Sequence, residues 1–339
     1  MKILNKISLI IIGVMLTVSL SGCYSHNAQK TLQKLGVAEV THSVFYAPQY
    51  VAIEKGFFEE EGFKIELIGA YGADKTMAAL LSGEAQIGFM GPEASVYVYA
   101  QGSKDYAVSF AQVTKRDGTF LVSRNPEPNF KFENLKGKEV IGGRKGGMPE
   151  MTLEYVLKSN NLTLGTNSSV GEVHVRTDIQ FAVMAGAFTG GEGDYVTLFE
   201  PMATSVEKDG IGHIVASIGA ESGEIPYTAY CALNGYIEEN PEIIQKFTNA
   251  VYKGQQYVKN HSAEEIAEII SPQFKELDMA ELVTVINRYK DTDTWSTEPL
   301  LKEESLNRLM DVMELAGELN ERVPYDKVVT TKFAEEAVK

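Results

Sequence analysis

The side chains best suited to chemistry stand close together near the start of the chain: Ser43, Phe45, Tyr46 and Tyr50. Three rings supply flat apolar walls, and the hydroxyls both donate and accept hydrogen bonds. Such a group can wall a small ligand. The same rings also serve as ordinary core packing, and the residues alone weigh the two readings evenly. His42 is a candidate general base beside them, but no nucleophile stands at a telling distance from it. His174 and His213 read as strand residues. Zinc-type spacing and His pairs at helical separation are lacking, so neither a metal nor a cofactor is expected. No catalytic constellation emerges, and the chain reads as a binder rather than an enzyme.

The elements that must position these residues follow from periodicity. Residues 37–41 alternate and are β-branched, which predicts a strand. Ala47-Pro48 opens a helix, because proline is tolerated in a first turn, and Gly56 closes it after Lys55. The rings therefore sit where a strand feeds a helix, the place where α/β sheets bind small ligands. Strands are predicted at 64–68 and 85–90. Asp74 is read as the N-cap of a helix that buries Met77, Leu80 and Leu81, and Gly91-Pro92-Glu93 turns into another helix at 94–100. Three strand–loop–helix units in succession predict a parallel sheet flanked by helices.

Residues 106–112 read as a further strand. The polar piece 114–118 reads as a crossing into a second lobe, with a plain hairpin turn as the alternative. In that lobe Glu139–Ile141 predicts a strand, followed by Gly142, Gly143, Arg144, Lys145, Gly146, Gly147, Met148, Pro149 and Glu150, then a helix to about Lys158. Four glycines allow a backbone to approach a ligand closely, and Pro149 leaves the first-turn N–H groups available. The loop lacks the ending of a phosphate-binding P-loop and is not GxGxxG. A tight turn without a ligand is the alternative. Further strands are predicted at 171–175, 195–198, His213–Ser217 and 227–233, with helices at 178–187 and after Glu200-Pro201. Beyond Pro241 the chain reads as helical, with Asn240 as a cap, capping-box pairs Ser262/Glu265 and Asp278/Glu281, and an apolar stripe of Leu306, Leu309, Met310 and Met313. Trp295 receives no role.

The first residues read as a leader. Lys2 and Lys6 precede an apolar run at 7–20 that is too short to span a bilayer comfortably. Leu20-Ser21-Gly22-Cys23 resembles the lipobox of bacterial lipoproteins, which implies a lipid on Cys23. An ordinary secretory signal is the alternative. Removing residues 1–22 leaves 29 basic against 46 acidic residues, a net charge of −17. Such a surface argues against nucleic acid or anionic membrane as partners. Cys231 is the single cysteine after Cys23, so no disulfide can form within the mature fold.

Five stretches then carry a resemblance. They are Phe45-Tyr46-Ala47-Pro48-Gln49-Tyr50-Val51-Ala52 with Lys55-Gly56-Phe57-Phe58; Ala79-Leu80-Leu81-Ser82-Gly83-Glu84-Ala85-Gln86-Ile87-Gly88; Leu135-Lys136-Gly137-Lys138; Glu200-Pro201; and the closing residues 323–334. They span nearly all of the mature chain, which is similar to the substrate-binding proteins of ABC importers in the nitrate, sulfonate and thiamine-pyrimidine group. The resemblance implies an α/β, two-lobed fold of periplasmic-binding-protein type II. Each lobe is then a mixed, mainly parallel sheet flanked by helices, and the lobes close over a ligand between them. The implied layout is a signal peptide at 1–22, a lipidated tether at 23–36, one lobe at 37–115 with 236–339, and the other at 116–235. The implied partners are a small-molecule ligand and a membrane permease driven by a separate ATPase. The expected state is a monomer held by lipid at the outer face of the cell membrane.

Within that frame the loops facing the cleft carry Asp74, Glu93, Glu150 and Glu200. Acids beside a desolvated anion would repel it, whereas they accept hydrogen bonds from ring amines or ammonium groups. Phe45, Tyr46, Tyr50, Tyr71, Tyr195 and Phe199 would supply the flat walls. Ser43, Gly72, Gly91, Gln112, Gly146, Gly147 and Met148 complete the expected contact set. The ligand so implied is small, planar and nitrogen-bearing, such as a thiamine-type aminopyrimidine precursor. Arg144 suits an acidic substituent and keeps alkanesulfonate, taurine or nitrate as the alternative. For Asp74 and Glu150 a helix cap or first-turn charge is an equal reading. Pyrimidine-forming synthases with this fold consume their own His and carry a cysteine-rich motif, and this chain has no such cluster.

Overall fold

Strand β1 (Gln33–Glu39) lies between β2 (Phe63–Gly69) and β3 (Ile87–Met90) and runs parallel to both. Its alternation places Leu35 and Val37 in the core. The strand begins four residues before Val37, so residues 33–36 belong to the sheet and not to a tether. The cause is β2, whose seven residues pair with all seven of β1 and bring Leu35 under cover. The computed structural model describes residues 31–339. Cys23 and the leader lie outside the described residues.

Among the described residues two five-stranded sheets form. The first has the order β2-β1-β3-β10-β4, where β4 is Ala107–Thr114 and β10 is Thr228–Leu233. The second has the order β7-β6-β8-β5-β9, from β5 (Thr119–Ser123), β6 (Glu139–Ile141), β7 (His174–Arg176), β8 (Tyr195–Phe199) and β9 (His213–Ser217). Residues 115–118 carry the chain from β4 in one sheet to β5 in the other, so they are a crossing and not a hairpin turn. The chain returns between β9 and β10, so β10 belongs to the first lobe and the second lobe ends before Thr228 rather than at 235, because β10 pairs with β3 and β4. The two strands that follow crossings lie between two neighbours and run against both: β10 is antiparallel to β3 and β4, and β5 to β8 and β9. Each sheet is therefore mixed, with two parallel and two antiparallel pairings, rather than mainly parallel. With helices packed on both sheets, the chain has the two-lobed periplasmic-binding-protein fold.

The helix Ala47–Glu54 is buried along most of its length, with Pro48 in its first turn and Gly56 just past its end in the left-handed region at φ 73°. The helix Pro241–Asn260 crosses it at Gly254, where an added Cβ would stand 2.3 Å from Pro48 O. Helix Met279–Asp291 then reaches across to the second lobe. Its Tyr289 hydroxyl donates to Gly118 O at 3.2 Å and accepts from Glu200 N at 3.0 Å. Both capping boxes form, at Ser262/Glu265 and at Asp278/Glu281. Trp295 is buried, and its indole N–H donates to Phe45 O at 2.8 Å.

Several local expectations change. Asp74 is not an N-cap; Gly72 holds that place, and Asp74 lies in the first turn of Ala73–Ser82. Asn240 precedes Pro241–Asn260 but makes no side-chain cap bond. The stretch 171–175 contributes only its end to β7, because Ser168–Val170 forms a 3-10 turn that Gly171 closes at φ 83°. The stretch 178–187 divides into a 3-10 turn, Phe181–Val183, and a short helix, Met184–Thr189. Gly186 and the β-branched Val183 weaken a continuous helix there.

Candidate functional site

A cleft opens between the ends of the two sheets. From the first lobe it receives Tyr46, Gly72, Gly91 and Glu93; from the second, Arg144, Gly147, Met148 and Phe199. Phe181, Tyr227 and Thr228 complete its wall. Tyr46 is held by ring contacts with Phe45 and Phe89 at 5.4 and 4.3 Å between centroids. Tyr227 ends the return crossing, so its position depends on both sheets at once.

Glu93 is the chemical centre of this cleft. It opens the helix Glu93–Ala100 and is 2% exposed, yet its Oε2 has no hydrogen-bond partner among the described residues. Gly91 makes room for it: a Cβ there would lie 1.9 Å from Glu93 Oε2. Burial pushes the carboxyl up to about 7, against the opposing pull of backbone N–H groups and of the Arg144 guanidinium. A buried orphan carboxyl is costly and calls for a partner that the chain does not supply. Arg144 is half-exposed and stands 3.8 Å from Asp74 Oδ1, its one ion-pair partner.

A second orphan lies behind the first. Asp117, in the first crossing, is 1% exposed; Oδ1 accepts from Thr119 N at 2.6 Å, while Oδ2 lacks a partner. Burial pushes it up to about 7. It adjoins Tyr227, whose hydroxyl is also buried; burial, then the Asp117 charge and hydrogen bonding with Asp117, raise that phenol well above its ordinary value.

The glycine loop does not present a row of free amides. Gly142 N donates to Arg176 O, Gly146 N to Glu150 Oε2 at 3.0 Å, and Gly147 N to Arg144 O. Glu150 therefore lies beneath the loop as its brace, and burial, then the charge of Glu154, push it up to about 8. Tyr97, from the first lobe, donates its hydroxyl to Gly146 O at 3.1 Å across the cleft. The loop's glycines serve tight turns at φ 93° (Gly143) and 74° (Gly146) rather than an anion cradle.

The other expected contact residues lie elsewhere. Phe45 is fully buried behind Tyr46, packed on Phe199, Tyr227 and Tyr289. Tyr50 belongs to a buried network: its hydroxyl donates to Glu39 Oε2 at 3.0 Å, and His42 Nδ1 lies 2.9 Å from Glu39 Oε1. That bond to Glu39 raises His42 above its ordinary value, against burial. Gln112 sits on β4 over a separate groove, its side chain bonded to Thr114 O. Tyr195 lies in the second-lobe core and donates its hydroxyl to Glu127. Glu200 is fully buried, with its carboxylate held by Arg288 at 2.7 Å and by Thr204 N at 2.9 Å. Ser43 donates to Glu200 O at 2.6 Å and so ties the lobes together. Asp74 and Gly146 border a shallower hollow beside Arg144. Sequence reasoning missed Thr41, Ala73, Gly143, Phe181, Tyr227 and Thr228. Tyr227 begins a predicted strand, but the expected layout puts that strand in the second lobe at 116–235, so its place at the return crossing was not legible. Among the described residues no group of His, Cys, Asp and Glu converges as a metal site.

A family model described as NMT1/THI5 like matches residues 44–265. The Bacillus subtilis (strain 168) protein YtlA, whose name marks it as a candidate binding protein, is 46% identical over 323 residues, covering 95% of this chain and 94% of its own. A 4-amino-5-hydroxymethyl-2-methylpyrimidine phosphate synthase of Aspergillus parasiticus is 25% identical over 223 residues, 63% of each chain. Among solved structures, a zinc-bound ligand-binding component of an ABC-type import system from Staphylococcus aureus superposes with TM-score 0.71 at 15% identity, covering 90% of this chain and 99% of that one. The nitrate-binding protein NrtA from Synechocystis PCC 6803 does so with TM-score 0.69 at 16% identity, covering 91% and 88%.

Proposed function

The chain belongs to the NMT1/THI5-like family, and from that premise we propose that it is the extracytoplasmic substrate-binding component of an ABC importer and not an enzyme. It captures a small planar nitrogen heterocycle, of the aminopyrimidine kind, between its lobes and delivers it to a membrane permease. The observation that carries this reading is Glu93, a buried carboxyl with an unpartnered oxygen in a cleft walled by Tyr46, Phe199 and Tyr227. An exocyclic or ring N–H satisfies that oxygen, and stacked rings enclose the planar body. The amides of Gly142, Gly146 and Gly147 are already bonded, which leaves fewer of the loop's amides for an anion. A single observation favours the anionic reading: Arg144 borders the cleft with one ion pair, at 3.8 Å. The His42 network holds a structural role rather than a catalytic one, since His42 bridges Glu39 to Gln273 O.

Native mass spectrometry of the purified protein tests the reading, followed by thermal shift with aminopyrimidines, alkanesulfonates and nitrate. Aminopyrimidines should raise the melting temperature, and Glu93→Gln should weaken them about 10- to 100-fold, as loss of a charge-assisted bond does. Sulfonate binding that Arg144→Ala abolishes and Glu93→Gln leaves intact overturns the heterocycle assignment. The lipobox-like Leu20-Ser21-Gly22-Cys23 supports a lipid anchor at Cys23. Expressed with Cys23→Ala, the protein should leave the membrane fraction for the medium or soluble fraction; unchanged membrane retention counts against the anchor.

A further inference from the structure

Beyond the Glu93 cleft lies a second, larger chamber. The two share Thr41, Phe181 and Phe199, so they adjoin and meet at the Phe181 and Phe199 rings, whose centroids are 5.7 Å apart. The chamber's character differs from the head of the cleft. Its second-lobe wall is built from Met184, Ala185, Leu198 and Met202, and Leu277 faces it from the C-terminal segment. Thr41, Ser205 and Glu276 also border it, while other polar groups there are engaged. His42 is fixed between Glu39 and Gln273 O, Ser43 is bonded to Glu200 O, and the Glu200 carboxylate is held by Arg288.

The mouth of the chamber carries two of the more exposed apolar side chains among the described residues, Tyr71 at 55% and Met202 at 47%. Tyr71 is also in the left-handed backbone region, at φ 57°, which costs a non-glycine residue energy. In that conformation its ring lies over Gly69, whose added Cβ would meet the ring at 3.5 Å. A strained aromatic held at the lip of an apolar chamber is the kind of outlier that accompanies a binding surface. Continuity with the Glu93 site names the occupant, since a molecule seated on Glu93 has this chamber as its extension.

We infer that the imported molecule has two parts: a nitrogen-bearing head at Glu93 and an uncharged apolar ring or chain, carried past Phe199 into the chamber between Tyr71, Met184 and Met202. This rests on the functional reading above and deepens it. The chamber, and not the head site, then separates full substrates from head fragments.

The test uses three probes: 4-aminopyrimidine, the same ring with a 5-benzyl group, and the neutral dye N-phenyl-1-naphthylamine. By calorimetry the benzyl compound should bind at least tenfold more tightly than the bare ring. Ala185→Asp and Met202→Glu should cut that advantage to threefold or less, with the affinity of the bare ring unchanged. Met202 is a surface position, so this variant keeps the test sound should Ala185→Asp fail to fold. Equal affinity of the two pyrimidines for the unaltered protein overturns the inference, as does an advantage that survives Met202→Glu. If neither pyrimidine binds, the head reading fails and the dye decides the chamber separately. Dye fluorescence gained with the unaltered protein and lost in the variants supports an apolar site; no gain overturns it.

Discussion

At the scale of single residues, the protein is organised by acids that water does not reach. Glu93 and Asp117 are pushed up to about 7 and Glu150 to about 8, each first of all by burial. A carboxyl whose value is higher in the folded than in the unfolded chain holds its proton longer when folded. Stability is then full below the ordinary carboxylate range and declines as pH rises towards the folded value. The ligand-free protein should therefore melt at falling temperature from about pH 4 to about pH 8, measured by calorimetry across that range. Glu93→Gln should flatten part of the slope, retaining up to roughly 3 kcal/mol at pH 8. An unchanged slope would mean that Glu93 is hydrated and ionised in the free protein. The aromatic residues were legible as a group but not one by one. Phe45, Tyr46 and Tyr50 stand within six positions of one another, yet only Tyr46 reaches the cleft. A helical turn sends neighbouring side chains in different directions, and which direction faces a gap depends on what packs behind.

At the scale of elements, close approach decides more than propensity. The helix Pro241–Asn260 lies so near Ala47–Glu54 that Gly254 has no room for a methyl group, with Pro48 O at 2.3 Å from where it would stand. Gly254→Ala should cost about 1–3 kcal/mol by overpacking, although alanine is the better helix former. Urea denaturation measures it, and a gain in stability would show that the two helices part easily. The capping boxes at Ser262 and Asp278 were readable because a cap is a local pattern three residues long. The stretch 178–187 misled for the opposite reason. Its apolar spacing fits a helix, but Phe181 is drawn to the cleft, and the chain breaks into a 3-10 turn before Met184.

At the scale of the whole molecule, the lobes are joined by hydrogen bonds from Ser43 to Glu200 O, from Tyr97 to Gly146 O, and between Tyr289 and both Gly118 O and Glu200 N, and by ion pairs of Arg288 with Glu200 and Glu207, Lys208 with Glu281 and Arg144 with Asp74. Neutral hydrogen bonds of this kind contribute about 1 kcal/mol each and charge-assisted ones about 1.5–3 kcal/mol; on the functional reading proposed above, a ligand held by both lobes should shift the balance towards closure. X-ray scattering should show a smaller radius of gyration once a binding heterocycle saturates the protein. Ser43→Ala should enlarge the radius of the free protein while leaving the lobes folded. Identical scattering with and without a bound heterocycle would remove hinge closure from the account.

The order of strands and helices and the crossing after β4 were written in the chain, because hydrophobic period, turn residues and caps act over a few neighbours; the two-lobed fold was implied by the family resemblance of five stretches. The strand sense within each sheet and the members of the cleft were decided by tertiary structure. β5 and β10 run against their neighbours because each enters a sheet from the other lobe. Tyr227 and Phe181 join Glu93 in the cleft although they lie 134 and 88 positions further along the chain. Burial does the same for charge: it leaves Glu200 locked to Arg288, places Glu150 under a loop, and leaves one oxygen of Glu93 without a hydrogen-bond partner among the described residues.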